Sequence, residues 1–148
     1  MGIIIRACVP DDAEALARIN RERMNYDYSE ADTRAKLEKL LAGSSDRIFV
    51  AEDGGTVIGS VHAAVYDVIY APTMVNIMGI AVDGSYQRRG VGRRLLEAAE
   101  LWATDIGAAG IRLVSGSERT QAHTFYEICG YRCNKTQLHF TKPLDKKE

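Results

Sequence analysis

The stretch Gly79-Ile80-Ala81-Val82-Asp83-Gly84-Ser85-Tyr86-Gln87-Arg88-Arg89-Gly90-Val91-Gly92-Arg93-Arg94 joins an almost continuously apolar run, Met74 to Val82, to a helical pattern beginning at Val91. A strand covered on both faces reads as such a run, so Met74 to Val82 is expected at the centre of a sheet. Val91, Leu95, Leu96, Ala99, Trp102 and Ile106 keep a helical period until Gly107, a residue suited to a helix C-cap. Arg88, Arg89, Arg93 and Arg94 crowd the start of that helix. The helix dipole repels a cation there by about 0.3–1 kcal/mol, so the arrangement calls for an anion. Gly90 and Gly92 lack Cβ atoms and let backbone N–H groups close on phosphate oxygens, while the unpaired first-turn donors supply further bonds. A diphosphate suits this equipment; the alternative is a glycine-rich helix start with solvated arginines. A Walker A loop is excluded because no Gly-Lys-Ser or Gly-Lys-Thr follows, and a dinucleotide fingerprint would need a third glycine where Leu95 stands.

Working outward, Ile3 to Ala7 is a β-branched run ended by Val9-Pro10-Asp11-Asp12, a helix-start signal. Leu16, Ile19, Arg23 and Met24 form one helical stripe. Ser29 and Asp32 resemble a capping box for a second helix carrying Ala31, Leu37, Leu40 and Leu41 and closed by Gly43. Arg47 to Glu52 and Thr56 to Tyr66 flank Asp53-Gly54-Gly55, which predicts an antiparallel hairpin. A loop holding Pro72 leads into the central strand. After it, Gly110 to Ser115 reads as a strand and Arg119 to Cys129 as a helix capped by Gly130. Short strands are expected at Tyr131 to Cys133 and Gln137 to Thr141, before a charged tail from Lys142. The element order predicts a single α/β domain over 1–148, with no internal boundary or repeat.

Composition sets the outer limits. The 148 residues are 46% hydrophobic and 26% charged, enough apolar material for one self-sufficient core. A formal charge of -1 gives no global attraction to nucleic acid or to an acidic membrane. Cys8, Cys129 and Cys133 cannot all pair within one chain, and Cys-x-x-x-Cys fits neither a redox nor a zinc spacing. They are read as reduced thiols of a cytoplasmic protein, with no metal. No apolar run is long enough to cross a bilayer or to serve as a signal peptide, and Arg6 breaks the myristoylation pattern that Gly2 invites.

Two segments together resemble the GNAT superfamily of N-acyltransferases. Gly79-Ile80-Ala81-Val82-Asp83 followed by Gln87-Arg88-Arg89-Gly90-Val91-Gly92 is similar to that family's pyrophosphate motif with its preceding strand. Ala122-His123-Thr124-Phe125-Tyr126-Glu127-Ile128-Cys129-Gly130-Tyr131 is similar to its late helix. The resemblance covers nearly the whole chain. It implies a GNAT-like mixed, mostly antiparallel sheet of six to seven strands with about four helices, splayed between the central strand (74–82) and the next (110–115). It implies acetyl-CoA as co-substrate. The backbone of Ile80, Ala81 and Val82 would pair with the pantetheine arm, and Gln87, Arg88, Arg89, Gly90, Val91, Gly92 and Arg93 would hold the pyrophosphate. An N–H near Ile80 could polarise the thioester carbonyl.

By the same resemblance Tyr126 is the catalytic residue: a phenol with an ordinary pKa of about 10 is protonated at neutral pH and can protonate the leaving thiolate. The base is open. Where some relatives carry a Glu, this chain has Asn76, which titrates nowhere useful. His62 on the preceding strand is a candidate, because imidazole titrates near neutrality. Arg119 replaces an Asn of many relatives and could reach a coenzyme A phosphate or an acidic substrate, or remain solvated; His123 is read as peripheral. The acceptor pocket is expected between the two N-terminal helices, Tyr26-Asp27-Tyr28, and Asp67-Val68-Ile69-Tyr70. The expected activity is acetyl transfer to a primary amine of a small molecule by direct attack in a ternary complex. Protein N-terminal or lysine acetylation and a non-catalytic acyl-CoA sensor are the alternatives. Oligomeric state stays open: family members often dimerise, and the C-terminal strands could take part in a homodimer.

Overall fold

The computed structural model describes residues 2–145. By internal contacts the chain falls into two compact units, one reaching Val114 and the other starting at Ser115. The first carries one five-stranded sheet in the order β1 (Ile3–Ala7), β2 (Asp46–Asp53), β3 (Thr56–Val68), β4 (Ala71–Val82), β5 (Ile111–Leu113). The first four strands pair antiparallel, and β5 joins β4 in parallel. Helix α1 (Ala13–Met24) and helix α2 (Glu30–Ala42) lie between β1 and β2, and α3 (Val91–Asp105) makes the crossover from β4 to β5. No helix among the described residues is long and apolar enough to cross a membrane.

The two faces of the sheet are covered differently. Gly59, Val61 and Ala63 alternate toward α3, whose Leu95, Leu96 and Ala99 are fully buried. The approach is close: a Cβ at Gly59 would lie 3.3 Å from Leu95 Cδ1 and 3.1 Å from the Ala81 carbonyl oxygen. On the other face, Leu16 and Ile19 of α1 and Leu37 of α2 pack with Ile48, Val50 and Ala81. Ser29 caps α2 by accepting from the Asp32 N–H at 3.0 Å, as the capping pattern predicts. At the start of α1, Arg6 donates twice to Asp12 at 2.9 Å and once to Glu52 at 2.7 Å, tying β1, β2 and the helix start together.

Three expectations need correction. The sheet has five strands, not six to seven: no strand forms at Tyr131 to Cys133 or Gln137 to Thr141 among the described residues. These segments are short and interrupted by charged or amide side chains, and the large side chains of Leu138 and Phe140 stand 80% and 85% exposed. Strand propensity alone, without a partner ladder or a surface to pack on, does not hold an extended segment in a sheet. Strand β5 is only Ile111–Leu113, shorter than Gly110 to Ser115. Pro72 lies within β4 instead of a loop, on the stretch before β5 pairing begins at Val75, where the missing N–H costs no ladder bond.

Candidate active site

Two features of β4 shape the site. His62 of β3 pairs with Gly79, but Ala63 pairs with Ile77, so Met78 is an extra residue and β4 bulges there. The parallel ladder with β5 spans only Val75, Asn76 and Ile77. The ladder ends there because β5 itself ends at Leu113, and beyond Ile77 β4 pairs, among the described residues, with β3 alone. Ile80, Ala81 and Val82 pair with Val61, Ser60 and Gly59 on that side and present an unpaired backbone edge on the other. A Cβ added at Gly79 would meet nothing within 4 Å.

After β4 the chain makes one 3-10 turn at Gly84–Tyr86 before α3. Asp83 holds it, accepting from the Ser85 N–H at 2.9 Å and from the Ser85 hydroxyl at 2.8 Å, bonds that keep its carboxyl below the usual range. Gln87 turns back to donate to the Val82 carbonyl at 3.0 Å. Arg88 (φ 63°) and Gly90 (φ 79°) are left-handed, and α3 starts at Val91 with its first-turn N–H groups pointing out of the helix end. Arg88 and Arg89 are exposed, with Arg89 stacked 4.7 Å from the Tyr86 ring centre. The arginine cluster is less uniform than the sequence suggests. Arg93 reaches Glu97 at 4.0 Å, and Arg94 donates to the Ile3 carbonyl at 2.6 Å and thereby helps hold β1.

On the face of α1 and α2, a cavity of about 480 Å³ opens between α1, α2, β2 and β3, with Tyr26, Asp27, Tyr28, Lys36, Ser60 and His62 among its walls. A second, of about 170 Å³, lies beside the β4 bulge against Met78, Gly79 and Ile80. Asn20, Tyr26, Ser60 and His62 line both. Residues of α1, α2 and their connection line the larger cavity, whereas Asp67 to Tyr70 lines neither. That segment forms the β3–β4 turn, where Asp67 accepts from the Thr73 hydroxyl at 2.6 Å. His62 Nε2 lies 2.7 Å from Asp46 Oδ2. Asn76 accepts from Arg112 at 2.6 Å and donates to Met78 Sδ at 3.0 Å, and the Arg112 guanidinium lies 4.1 Å from the Tyr66 ring centre.

The second unit carries α4 (Thr120–Ile128), closed by Gly130 at φ 96°. Its Arg119 is the N-cap residue, and His123 Nε2 sits 2.8 Å from the Gly116 carbonyl. Tyr126 is half-buried between Phe125 and Tyr131, at ring-centre distances of 5.4 and 6.2 Å. Burial pushes its phenol above the ordinary value, and the positive charge of Arg119 pulls against that shift. The hydroxyl therefore stays protonated through the neutral range. Asp46 and Arg112 were not singled out from the sequence; the register of the strands is what brings them to His62 and Asn76.

The sequence profile of the Acetyltransferase (GNAT) family matches residues 13–131. The chain belongs to that family. As a GNAT protein it is an acyltransferase. A similar protein is the aminoglycoside N(6')-acetyltransferase type 1 of Stenotrophomonas maltophilia, 30% identical over 147 residues that cover 95% of this chain and 94% of that one. Among solved structures, the GNAT fold of this chain is similar to that of AAC(6')-Iy in complex with a bisubstrate analog, CoA-S-monomethyl-acetylneamine. The TM-score is 0.85 at 21% identity, over 97% of this chain and 100% of the other. It is also similar to a transcriptional regulator from Bacillus halodurans C-125, with a TM-score of 0.86 at 18% identity over 95% and 100% of the two chains.

Proposed function

We propose that this GNAT protein moves an acetyl group from acetyl-CoA to a primary amine of a small molecule, the amine attacking the thioester directly in a ternary complex. The observation that carries the reading is the end of the β4–β5 ladder at Ile77, which leaves an unpaired strand edge running straight into a left-handed turn and a helix N-terminus. A pantetheine arm is a strand-like chain of amides, and the edge of Ile80, Ala81 and Val82 offers it backbone partners. At the end of that edge, Gln87 to Arg93 and the first-turn N–H groups of α3 suit a pyrophosphate. The space fits as well, since a Cβ at Gly79 or at Gly90 would meet no protein atom within 4 Å.

In the reaction, the amine nitrogen forms a bond to the acetyl carbonyl carbon and the carbon–sulfur bond breaks. A backbone N–H of β4 near Ile80 stabilises the developing charge on the carbonyl oxygen. Tyr126 donates its proton to the departing thiolate, a role that rests on the late-helix motif and on its protonated phenol. A cavity of about 480 Å³ suits an acceptor of small-molecule size, within the range of ordinary ligand pockets. The Stenotrophomonas maltophilia relative, an aminoglycoside acetyltransferase, supports the same acceptor class. The test is a screen of the purified protein with acetyl-CoA against sisomicin, neamine, spermidine, glucosamine and lysine methyl ester. Free thiol is measured and products are weighed by mass spectrometry. Thiol release that depends on one of these amines, with a product heavier by one acetyl group, is the expected result; release independent of every amine overturns the reading.

A further inference from the structure

We infer that His62, oriented by Asp46, is the base that takes the proton from the attacking amine. This rests on the acetyl transfer proposed above and identifies a group for which the pyrophosphate turn and Tyr126 do not account. His62 stands where the two cavities meet, with the larger one toward α1 and α2 and the smaller one along the β4 bulge. Its cross-strand partner is Gly79, which has no side chain and no protein atom within 4 Å of where one would begin. The imidazole therefore borders open space on the side from which an amine would approach the Ile80 edge.

The orientation of the ring follows from its neighbour. A carboxylate only accepts, so the 2.7 Å bond to Asp46 Oδ2 places the hydrogen of the neutral ring on Nε2. Nδ1 is left as a bare acceptor, and among the described residues it has no hydrogen-bond partner. The pair is half-buried, with the His62 and Asp46 side chains 28% and 18% exposed. Asp46 is the charged group in contact with the ring. Asp27 and Lys36, with Tyr26 and Tyr28, line the larger cavity, and the adjoining β4 residues Met78, Gly79 and Ile80 do not titrate. As the nitrogen–carbon bond forms, the amine nitrogen becomes acidic. Its proton moves to Nδ1, and Asp46 stabilises the resulting imidazolium, acting as a positioning residue.

The test uses the full chain, acetyl-CoA and the best amine found in the screen. His62→Gln is expected to lower kcat/KM at neutral pH by about 10²-fold, the usual contribution of a positioned base. It should leave acetyl-CoA binding, followed by calorimetry, unchanged. The loss should persist as pH rises toward the acceptor's own titration, about pH 10 for an alkyl ammonium such as that of lysine, because the nitrogen of a neutral amine must still shed a proton once it has attacked. His62→Ala with added imidazole should recover part of the rate. Asp46→Asn should lower kcat/KM with KM little changed and by less than His62→Gln does, because the amide oxygen can still hold the ring but no longer stabilises the imidazolium as a carboxylate does. Independently of turnover, nitrogen NMR of the wild-type ring should show the hydrogen on Nε2. Wild-type turnover with an unaltered rate and profile in His62→Gln, or a ring protonated only on Nδ1, overturns the role of His62 alone. Absence of turnover with every amine overturns the acetyl-transfer reading with it.

Discussion

Arg112 Nη1 lies 2.6 Å from Oδ1 of Asn76, across the three-residue ladder that joins β4 to β5. The amide of Asn76 is therefore committed on both sides, its oxygen to Arg112 and its nitrogen to Met78 Sδ at 3.0 Å. A neutral side chain so engaged helps hold the short ladder between β4 and β5 and is no proton acceptor. Asn76→Ala is expected to cost about 1 kcal/mol of stability in urea unfolding, the worth of a partly buried hydrogen bond. The pH dependence of turnover should not change, and loss of its acid limb in this variant would move the proton-accepting role from His62 to a water held by Asn76.

Gly90 stands at φ 79°, a conformation costly for a side chain, although a Cβ there would touch no other protein atom. Gly90→Ala should therefore destabilise the fold by about 1 kcal/mol, from backbone strain alone. If pyrophosphate oxygens occupy that space, the same methyl group should raise the Kd for coenzyme A about tenfold or more, a loss of about 1.4 kcal/mol. Calorimetry with unchanged affinity would place the diphosphate elsewhere.

Tyr126→Phe removes a hydroxyl and little volume. It is expected to lower kcat by about 10²-fold while acetyl-CoA affinity changes little. Because burial raises the phenol above its ordinary value, the wild-type hydroxyl stays protonated below about pH 10 and should give kcat no alkaline limb in that range. An unchanged kcat in the variant contradicts the role.

Burial alone would raise the Asp12 carboxyl, but the two bonds from Arg6 and one from the Val9 N–H outweigh it and hold the carboxyl below the usual carboxylate range. A depressed native value stabilises the fold above the unfolded value of about 3.9 and loses that contribution as pH falls through the native one. Asp12→Asn should cost about 2 kcal/mol at neutral pH, the worth of hydrogen bonds to a charged group, since Arg6 keeps Glu52 as a partner. Urea titrations at descending pH should show the gap between wild type and variant closing only in strong acid; a gap that narrows already near neutrality contradicts the assignment.

Much of this architecture is legible in the sequence because local chemistry agrees with global packing. The apolar run at Met74 to Val82 becomes most of β4, which lies fourth of five strands with β3 at the centre, a correction to its expected place, and Ser29 caps α2. The periodic positions Leu95, Leu96 and Ala99 are buried. The Asp46–His62 pair was not legible, for a specific reason. A hairpin turning through Gly54 and Gly55 with regular register would set Arg47 opposite His62 and send Asp46 to the other face. The bulge at Ile58 adds one residue to β3, so that Ile48 pairs with His62 and Asp46 falls diagonal to it on the same face. The absent C-terminal strands fail for the opposite reason, since alternation is present there without a partner ladder.

The account turns on the β4 edge and the start of α3 as the seat of coenzyme A. The most direct measurement is a titration of nitrogen-labelled protein with coenzyme A, followed amide by amide. The largest shifts should fall on Ile80, Ala81 and Val82 and on Arg88 to Gly92, with the paired segment of β4 before Ile77 much less affected. Saturating coenzyme A that leaves those amides unmoved, or that moves a different surface, contradicts it.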